Sequence, residues 1–292
     1  MSLGAVGDQT RTRARDFEVV ALSRLGNPKR LAQVAEAVFG TRDRPPGWFA
    51  RKLRRECVDP SASPVAIAAG TDPTEPAGWL GYVLVGAPPS LGFSARTAGT
   101  AVVASARGRG IATALLDAAV RGAQALGRAR LQLLADPELA SFYRRCDFAL
   151  VHDVVTLVRP SRGDRDRRLA PGQPWDDLRI AEAANATVQQ WLPETWRGTE
   201  DRLRHTLDRD DLGAHISREG RALVVHRLLA RAGAVAPNQA ARALLGLLPQ
   251  GHPVVLPLLP EVSPITDALL ADGWHPMQRA QLMSRSLPPS GS

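Results

Sequence analysis

The chain has 292 residues, 44% of them hydrophobic, with two cysteines and a formal net charge of +8. That is enough for two cores of ordinary domain size, while no apolar run is long enough to cross a bilayer, and neither Cys57 and Cys146 nor the six histidines show the spacing of a metal site or a disulfide framework. The positive charge is nearly all arginine, Lys29 and Lys52 being the only lysines, and it is strewn along the chain rather than gathered with aromatics, which argues against a nucleic-acid partner.

In chain order, Met1 to Arg15 lacks the apolar core of a secretory signal, and a cytoplasmic protein without membrane association is expected. Asp16 to Leu22, β-branched and apolar, predicts a first strand. Asn27 as N-cap and Pro28 at the first helical position predict a helix along Leu31, Val34, Ala35 and Val38 that ends at Gly40. A second short helix is expected between Trp48 and Val58. Val65 to Ala69 and Trp79 to Val85 predict two strands joined by the turn-rich Gly70 to Gly78 segment, an antiparallel pairing.

Thr97 to Ala104 predicts another strand, followed by a glycine turn and an alanine-rich helix from Ala112 to Leu126 that Gly127 ends. Arg130 to Leu134 predicts a short buried strand. Asp136-Pro137-Glu138 has the form of a helix start, with an acidic cap and proline in the first turn. That helix carries Phe142 and Tyr143, and Ala149 to Val158 predicts a closing strand. The order is that of an α/β layer fold with a right-handed parallel crossover around the glycine turn.

From Arg159 to Pro174 the composition becomes charged and rich in Pro and Gly. We read a first domain over 1–160, a linker over 161–174 and a second domain over 175–292. In the second domain Arg221 to Leu229, Ala232 to Ala236, Pro253 to Leu259 and His275 to Leu287 predict strands, and Asn238 to Leu248 and Ser263 to Ala271 helices. Ala243-Leu244-Leu245 matches Ala114-Leu115-Leu116, and Gly273-Trp274 matches Asp147-Phe148, the mark of an internal duplication.

The turn Arg107-Gly108-Arg109-Gly110-Ile111-Ala112 between strand and helix carries the chemistry. A pyrophosphate needs several donors converging on it, and a glycine-rich turn entering a helix supplies backbone N–H groups with no side chain in the way. Neither a G-x-G-x-x-G with a downstream acid nor a Gly-Lys-Ser/Thr is present, so the dinucleotide and P-loop alternatives fit worse.

The stretch V-V-A-S-A-R-G-R-G-I-A-T-A-L-L at Val102 to Leu116 resembles the acyl-CoA signature of the GNAT superfamily, Q/R-x-x-G-x-G/A after a strand, matched by Arg107, Gly110 and Ala112. The run S-F-Y-R-R-C-D-F at Ser141 to Phe148 resembles the family's F-Y-x-x-x-G-F element, with Asp147 where glycine is usual. The resemblance covers roughly the first 160 residues. It implies two GNAT-like α/β domains, each a mixed sheet flanked by helices, the second degenerate. In the second half, 244 − 235 = 9 residues separate Val235 from Leu244 where 115 − 102 = 13 separate Val102 from Leu115, no Arg-Gly-x-Gly remains, and Leu269 stands where Tyr143 would be.

The resemblance further implies an acetyl-CoA-dependent N-acetyltransferase acting on a small-molecule amine, with the second half as an internal pseudo-dimer partner. Cofactor contacts are implied at Thr100, Ala101 and Val102 of the strand and at Arg107, Gly108, Arg109, Gly110, Ile111, Ala112 and Thr113 of the turn. Tyr143 falls on the family's general-acid position; its alternative is an amphipathic core residue. Thr97 to Ala106 contains no carboxylate or histidine to act as base. Glu75 and Asp136 are candidates, although loop solvation and helix capping explain them. Trp48 and Phe49 are expected to pack their helix in preference to contacting substrate. The altered Asp147 and the missing base keep a non-catalytic acyl-CoA sensor open as the alternative.

Overall fold

The computed structural model describes residues 16–25, 48–72, 76–88, 91–161, 205–209, 212–219, 221–230 and 251–288, together with Leu31, Ala35, Gln239, Leu245 and Leu248 taken singly. Strands β1 (Phe17–Ala21), β2 (Pro64–Ala68), β3 (Trp79–Gly86) and β4 (Ser94–Val102) run antiparallel in sequence order. Helix α1 (Trp48–Arg55) precedes β2. β3 is buried along its whole length, as a central strand covered on both faces must be. Leu80, Val83 and Val85 join one core, and Trp79, Tyr82 and Leu84 join another on the opposite face with Leu31, Ala35, Ala98 and Ala101.

Helix α2 (Ile111–Ala125) carries β4 over to β5 (Arg130–Ala135), which pairs parallel to β4. Its apolar stripe of Ile111, Leu115, Leu116, Ala119, Val120 and Ala123 is buried against the first core at the spacing of one helical face. The alanines let the helix sit close. At Gly122 a Cβ would lie 2.5 Å from the carbonyl oxygen of Ala62, so no larger residue fits. Gly127 ends the helix at φ +68, where Arg128 N–H donates to the Ala123 carbonyl at 3.0 Å, the bond that closes a left-handed helix end.

After β5, a 3-10 turn (Pro137–Leu139) leads into α3 (Ala140–Arg145). Asp136 precedes this turn as expected, but its side chain does not cap it. The turn is closed by Leu139 N–H donating to the Asp136 backbone carbonyl at 2.8 Å. The second half contributes β7 (His205–Arg209), β8 (Leu212–Glu219), β9 (Ala222–Ala230), β10 (Val254–Pro260), α4 (Pro264–Ala271) and β11 (His275–Ser286). The expected helix over 27–40, the strand over 232–236, most of the helix over 238–248 and the linker beyond Ser161 lie outside the described residues.

The described strands form one mixed sheet in the order β1-β2-β3-β4-β5-β11-β6-β10-β9-β8-β7, where β6 is Ala149–Arg159. The sequence reading closes each half with its own last strand. The structure instead exchanges them, β11 lying between β5 and β6, and β6 between β11 and β10. Each core is built accordingly. Met283 and Leu287 complete the first core, and Val155 and Leu157 of β6 complete the core around Leu256, Leu269 and Trp274.

The exchange is reciprocal. The shift that maps Asp147 onto Gly273, 273 − 147 = 126 residues, also maps Val154 onto Ala280, and these two are register partners in the β6–β11 pair. A pseudo-twofold axis therefore passes through that pair, as between identical subunits. The same shift maps Arg159 onto Arg285. Arg159 donates to the carbonyls of Leu245 at 2.9 Å and Leu248 at 3.4 Å, and Arg285 donates to the carbonyl of Cys146 at 3.2 Å. Each arginine reaches from its strand into the opposite half.

Candidate functional site

β4 and β5 pair only at their starts, through Ser94–Arg130, Ala95–Leu131 and Arg96–Gln132. Beyond this point β4 continues to Val102 and β5 to Ala135 without pairing, so the strands open into a wedge. A bulge helps to open it. The β3–β4 register slips between Leu84–Gly99 and Val85–Thr97, and an extra residue in one strand bends that strand away from its neighbour. The β5-facing edge of Thr97 to Val102 thus offers backbone groups that no strand satisfies, in the middle of a sheet where such groups ordinarily pair.

A cleft of about 990 Å³ occupies the wedge. Thr97 to Val102 form one wall, Leu134 and Asp136 the other, and the glycine turn its mouth. Val103 N–H donates to the Leu80 carbonyl at 2.9 Å, anchoring the strand end, and a 3-10 segment (Ala104–Ala106) follows. Gly108 and Gly110 adopt φ +78 and +77, which only glycine takes without strain. A Cβ at either would meet nothing within 4 Å, so the space above the turn is open.

Gly110 is the N-cap of α2, and no side chain caps the helix. The first-turn N–H groups therefore remain for an anion, with the positive end of the helix behind them. Of the residues expected to hold the cofactor, Thr100, Ala101, Val102, Arg107, Gly108, Gly110, Ile111, Ala112 and Thr113 line the cleft. Arg107 Nε donates to the Val102 carbonyl at 3.3 Å. The Arg109 side chain turns away to pair with the Asp16 carboxylate.

Tyr143, on α3, is buried and lines the cleft. Its ring meets Phe142 and Phe148 edge-on, with centroids 5.1 and 6.2 Å away. Burial pushes its phenol pKa above the ordinary tyrosine value; a hydrogen bond with the Thr100 side chain opposes that shift and the Asp136 carboxylate adds to it. The phenol is therefore a protonated donor throughout the neutral range. It faces the strand from which Thr100 comes.

Among the described residues lining the cleft, Asp136 is the sole acidic one and none is a histidine. Glu75 lies outside the described residues. Phe49 packs against the core, as expected, and also lines the cleft. Sequence reasoning did not single out Lys52 of α1, Tyr82 of β3 or Gln278 of β11 as site residues, yet all three line the cleft. Gln278 arrives only through the strand exchange. Among the described residues no group of His, Cys, Asp and Glu forms a metal site, and no helix is long and apolar enough to cross a membrane.

Comparison with known proteins bears on this geometry. Residues 68–150 match the family model described as an acetyltransferase (GNAT) domain, a span running from the end of β2 to the start of β6. No curated protein matches the chain. Among solved structures, a GCN5-related N-acetyltransferase from Sphaerobacter thermophilus superposes with a TM-score of 0.61 at 15% identity, over 96% of this chain and 98% of that one. A putative acetyltransferase from Pyrococcus horikoshii gives 0.59 at 12%, over 99% and 95%. A tandem GNAT protein from the clavulanic acid biosynthesis pathway gives 0.56 at 14%, over 94% and 100%. At these identities the likeness is one of fold, and it extends over both halves. The family match is confined to residues 68–150, and beyond them the likeness to these acetyltransferase structures is one of fold.

Proposed function

We propose that the chain is an acetyl-CoA-dependent N-acetyltransferase acting on a small-molecule amine, with its acyl-donor site in the first half. One observation carries this reading: the β4–β5 wedge opens directly onto an uncapped helix N-terminus behind two left-handed glycines. The diphosphate of the donor fits the turn, where Ile111, Ala112 and Thr113 belong to the first helical turn and Arg107 adds a positive charge. The pantetheine arm, an extended amide chain, fits beside the unpaired edge of β4 as a further strand would.

When bound, acetyl-CoA supplies the activated acyl group, and its transfer to an amine forms a C–N bond as the C–S bond breaks. The backbone N–H groups at Thr100 to Val102 stabilise the charge that gathers on the thioester oxygen. Tyr143 gives its phenol proton to the departing sulfur. In this reading Asp136, which lines the cleft, takes the amine's proton. In this reading 1–160 is the catalytic domain, 161–174 the linker and 175–292 a copy without an acyl-CoA turn, in a cytoplasmic protein without a nucleic-acid partner.

That Asp136 is the one carboxylate, and no histidine stands beside it, among the described residues lining the cleft favours a second reading, a module that binds acyl-CoA without turnover. Thiol release from acetyl-CoA across a panel of amines separates the two. Acceptor-dependent release supports the transferase, and saturable binding without release from any amine supports the sensor.

A further inference from the structure

The bulge in β4 changes which of its side chains share a face. Ala95 belongs to the core on the α2 side, and Thr97 stands opposite Val85 of that same core. Strict alternation would then put Gly99 and Ala101 on the α2 side and Thr100 on the α1 side. The slip between the Leu84–Gly99 and Val85–Thr97 pairs adds one residue, so Ala98 and Ala101 join the core on the α1 side, and Thr100 stands opposite Val83 of the α2-side core. Partners across a ladder share a face. Thr100 thereby comes to the face on which Tyr143 is packed, and the two side chains hydrogen-bond there.

Tyr143 is otherwise fixed. Its carbonyl accepts from Cys146 N–H at 2.9 Å and Phe148 N–H at 3.1 Å, closing the end of α3, and the Cys146 thiol bonds with the Thr113 side chain in the first turn of α2. The ring sits edge-on to Phe142 and Phe148, which leaves rotation of the hydroxyl proton as the freedom that decides where the acid points. Either hydroxyl of the pair can donate in the resting state. Once the phenol has lost its proton its oxygen only accepts, so Thr100 is then the donor. Burial pushes the phenol pKa up, the Thr100 bond pulls it down, and Asp136 and Cys146 add to the rise. Valine would pack a half-buried strand position equally well, so the hydroxyl of Thr100 is the part that packing does not explain.

We propose that Thr100 is a positioning residue for Tyr143: its hydroxyl donates to the phenol oxygen, which leaves the phenol's proton free to point into the cleft and holds the phenolate that remains when that proton leaves. The role rests on the transferase reading above, in which the Tyr143 O–H bond breaks as the S–H bond of the released thiol forms. The phenolate, held by Thr100, regains a proton from water before the next turnover. A β-branched side chain suits this task, because its restricted χ1 keeps the hydroxyl in one direction.

Fluorine NMR on the full chain labelled with ring-fluorinated tyrosine tests this, since Tyr82 and Tyr143 are its two tyrosines and Tyr143→Phe assigns their signals. Thr100→Val should move the ionisation of the Tyr143 fluorophenol to higher pH, and Thr100→Ser should leave it where the parent has it. In thiol-release assays Thr100→Val should lower kcat about tenfold, the scale of one hydrogen bond to a charged oxygen. KM for acetyl-CoA should stay within about twofold, and Thr100→Ser should recover most of the lost turnover. In a Tyr143→Phe background Thr100→Val should cost less than about twofold, because the group it serves is gone. A fluorophenol that ionises at the same or lower pH in Thr100→Val, a Thr100→Ser variant no better than Thr100→Val, or an equal loss in both backgrounds would each overturn the proposal. The expected ionisation shift in a chain that releases no thiol with any amine would remove the transferase reading while the Thr100–Tyr143 pairing stands.

Discussion

Arg285 and Asp147 come from opposite halves of the chain, yet the Arg285 guanidinium lies 3.4 Å from the Asp147 carboxylate and donates to the carbonyl of Cys146 beside it. Asp147 occupies the left-handed position that ends α3, at φ 63, and its counterpart after α4 is Gly273 at φ 82. An aspartate tolerates that conformation better than most side chains. Here it also meets the exchanged strand.

Asp147→Val should therefore destabilise by about 1–2 kcal/mol, the cost of a β-branched residue in the left-handed region. Asp147→Gly should stay within about 0.5 kcal/mol of the parent, because relief of the backbone offsets the loss of an exposed ion pair. Denaturant titration of both variants checks this. A valine variant as stable as the parent would contradict the conformational account.

The strand exchange makes a second prediction. A fragment ending at Ser161 lacks β11, so β5 and β6 lose the strand that joins them, and the first core loses Met283 and Leu287. Unpaired edges and uncovered apolar surface favour aggregation. The fragment should be poorly soluble, and sedimentation velocity should show aggregates. A soluble, folded, monomeric fragment would show that the exchange is dispensable.

This exchange was not legible in the sequence, although the strands themselves were. β1 through β6, α2 and α4 announce themselves by apolar period, proline and glycine. In α4 the structure adds a cap at Ser263, its hydroxyl accepting from Thr266 N–H at 3.2 Å. Pairing is another matter, since the pattern of β11 says which of its residues are apolar but not which strands lie on either side. β7 and β8 escaped because His205 to Glu219 mixes charge with few apolar residues, as an edge hairpin does. The glycine turn was readable because its glycines are required by local backbone geometry. Lys52, Tyr82 and Gln278 were not, because only tertiary contacts bring α1, β3 and β11 to one cleft.

Tyr143→Phe keeps the ring and its contacts with Phe142 and Phe148 while removing the proton. Turnover should fall about 100-fold or more, with acetyl-CoA affinity nearly unchanged. A loss below about threefold would make Tyr143 a packing residue.

The pH profile gives a separate check on the same residue. Burial raises the phenol's pKa, so the acid form persists past the ordinary tyrosine value. The turnover number should show no loss assignable to Tyr143 between neutrality and about pH 10, with loss of the acid form only above it. A decline centred near pH 8 that disappears in Tyr143→Phe would contradict the assignment.

The central claim is that the glycine turn holds the donor's diphosphate. Gly110 has φ +77 and open space above it, so Gly110→Asp and Gly110→Asn impose similar backbone strain while only the first adds a negative charge. Calorimetric titration of the full chain with acetyl-CoA should give one molecule bound per chain. Binding should be retained in weakened form by Gly110→Asn and abolished by Gly110→Asp, while acetyl-pantetheine, which lacks the diphosphate, should bind both variants alike. Unchanged acetyl-CoA affinity in a folded Gly110→Asp protein, or two molecules bound per chain, would contradict the account.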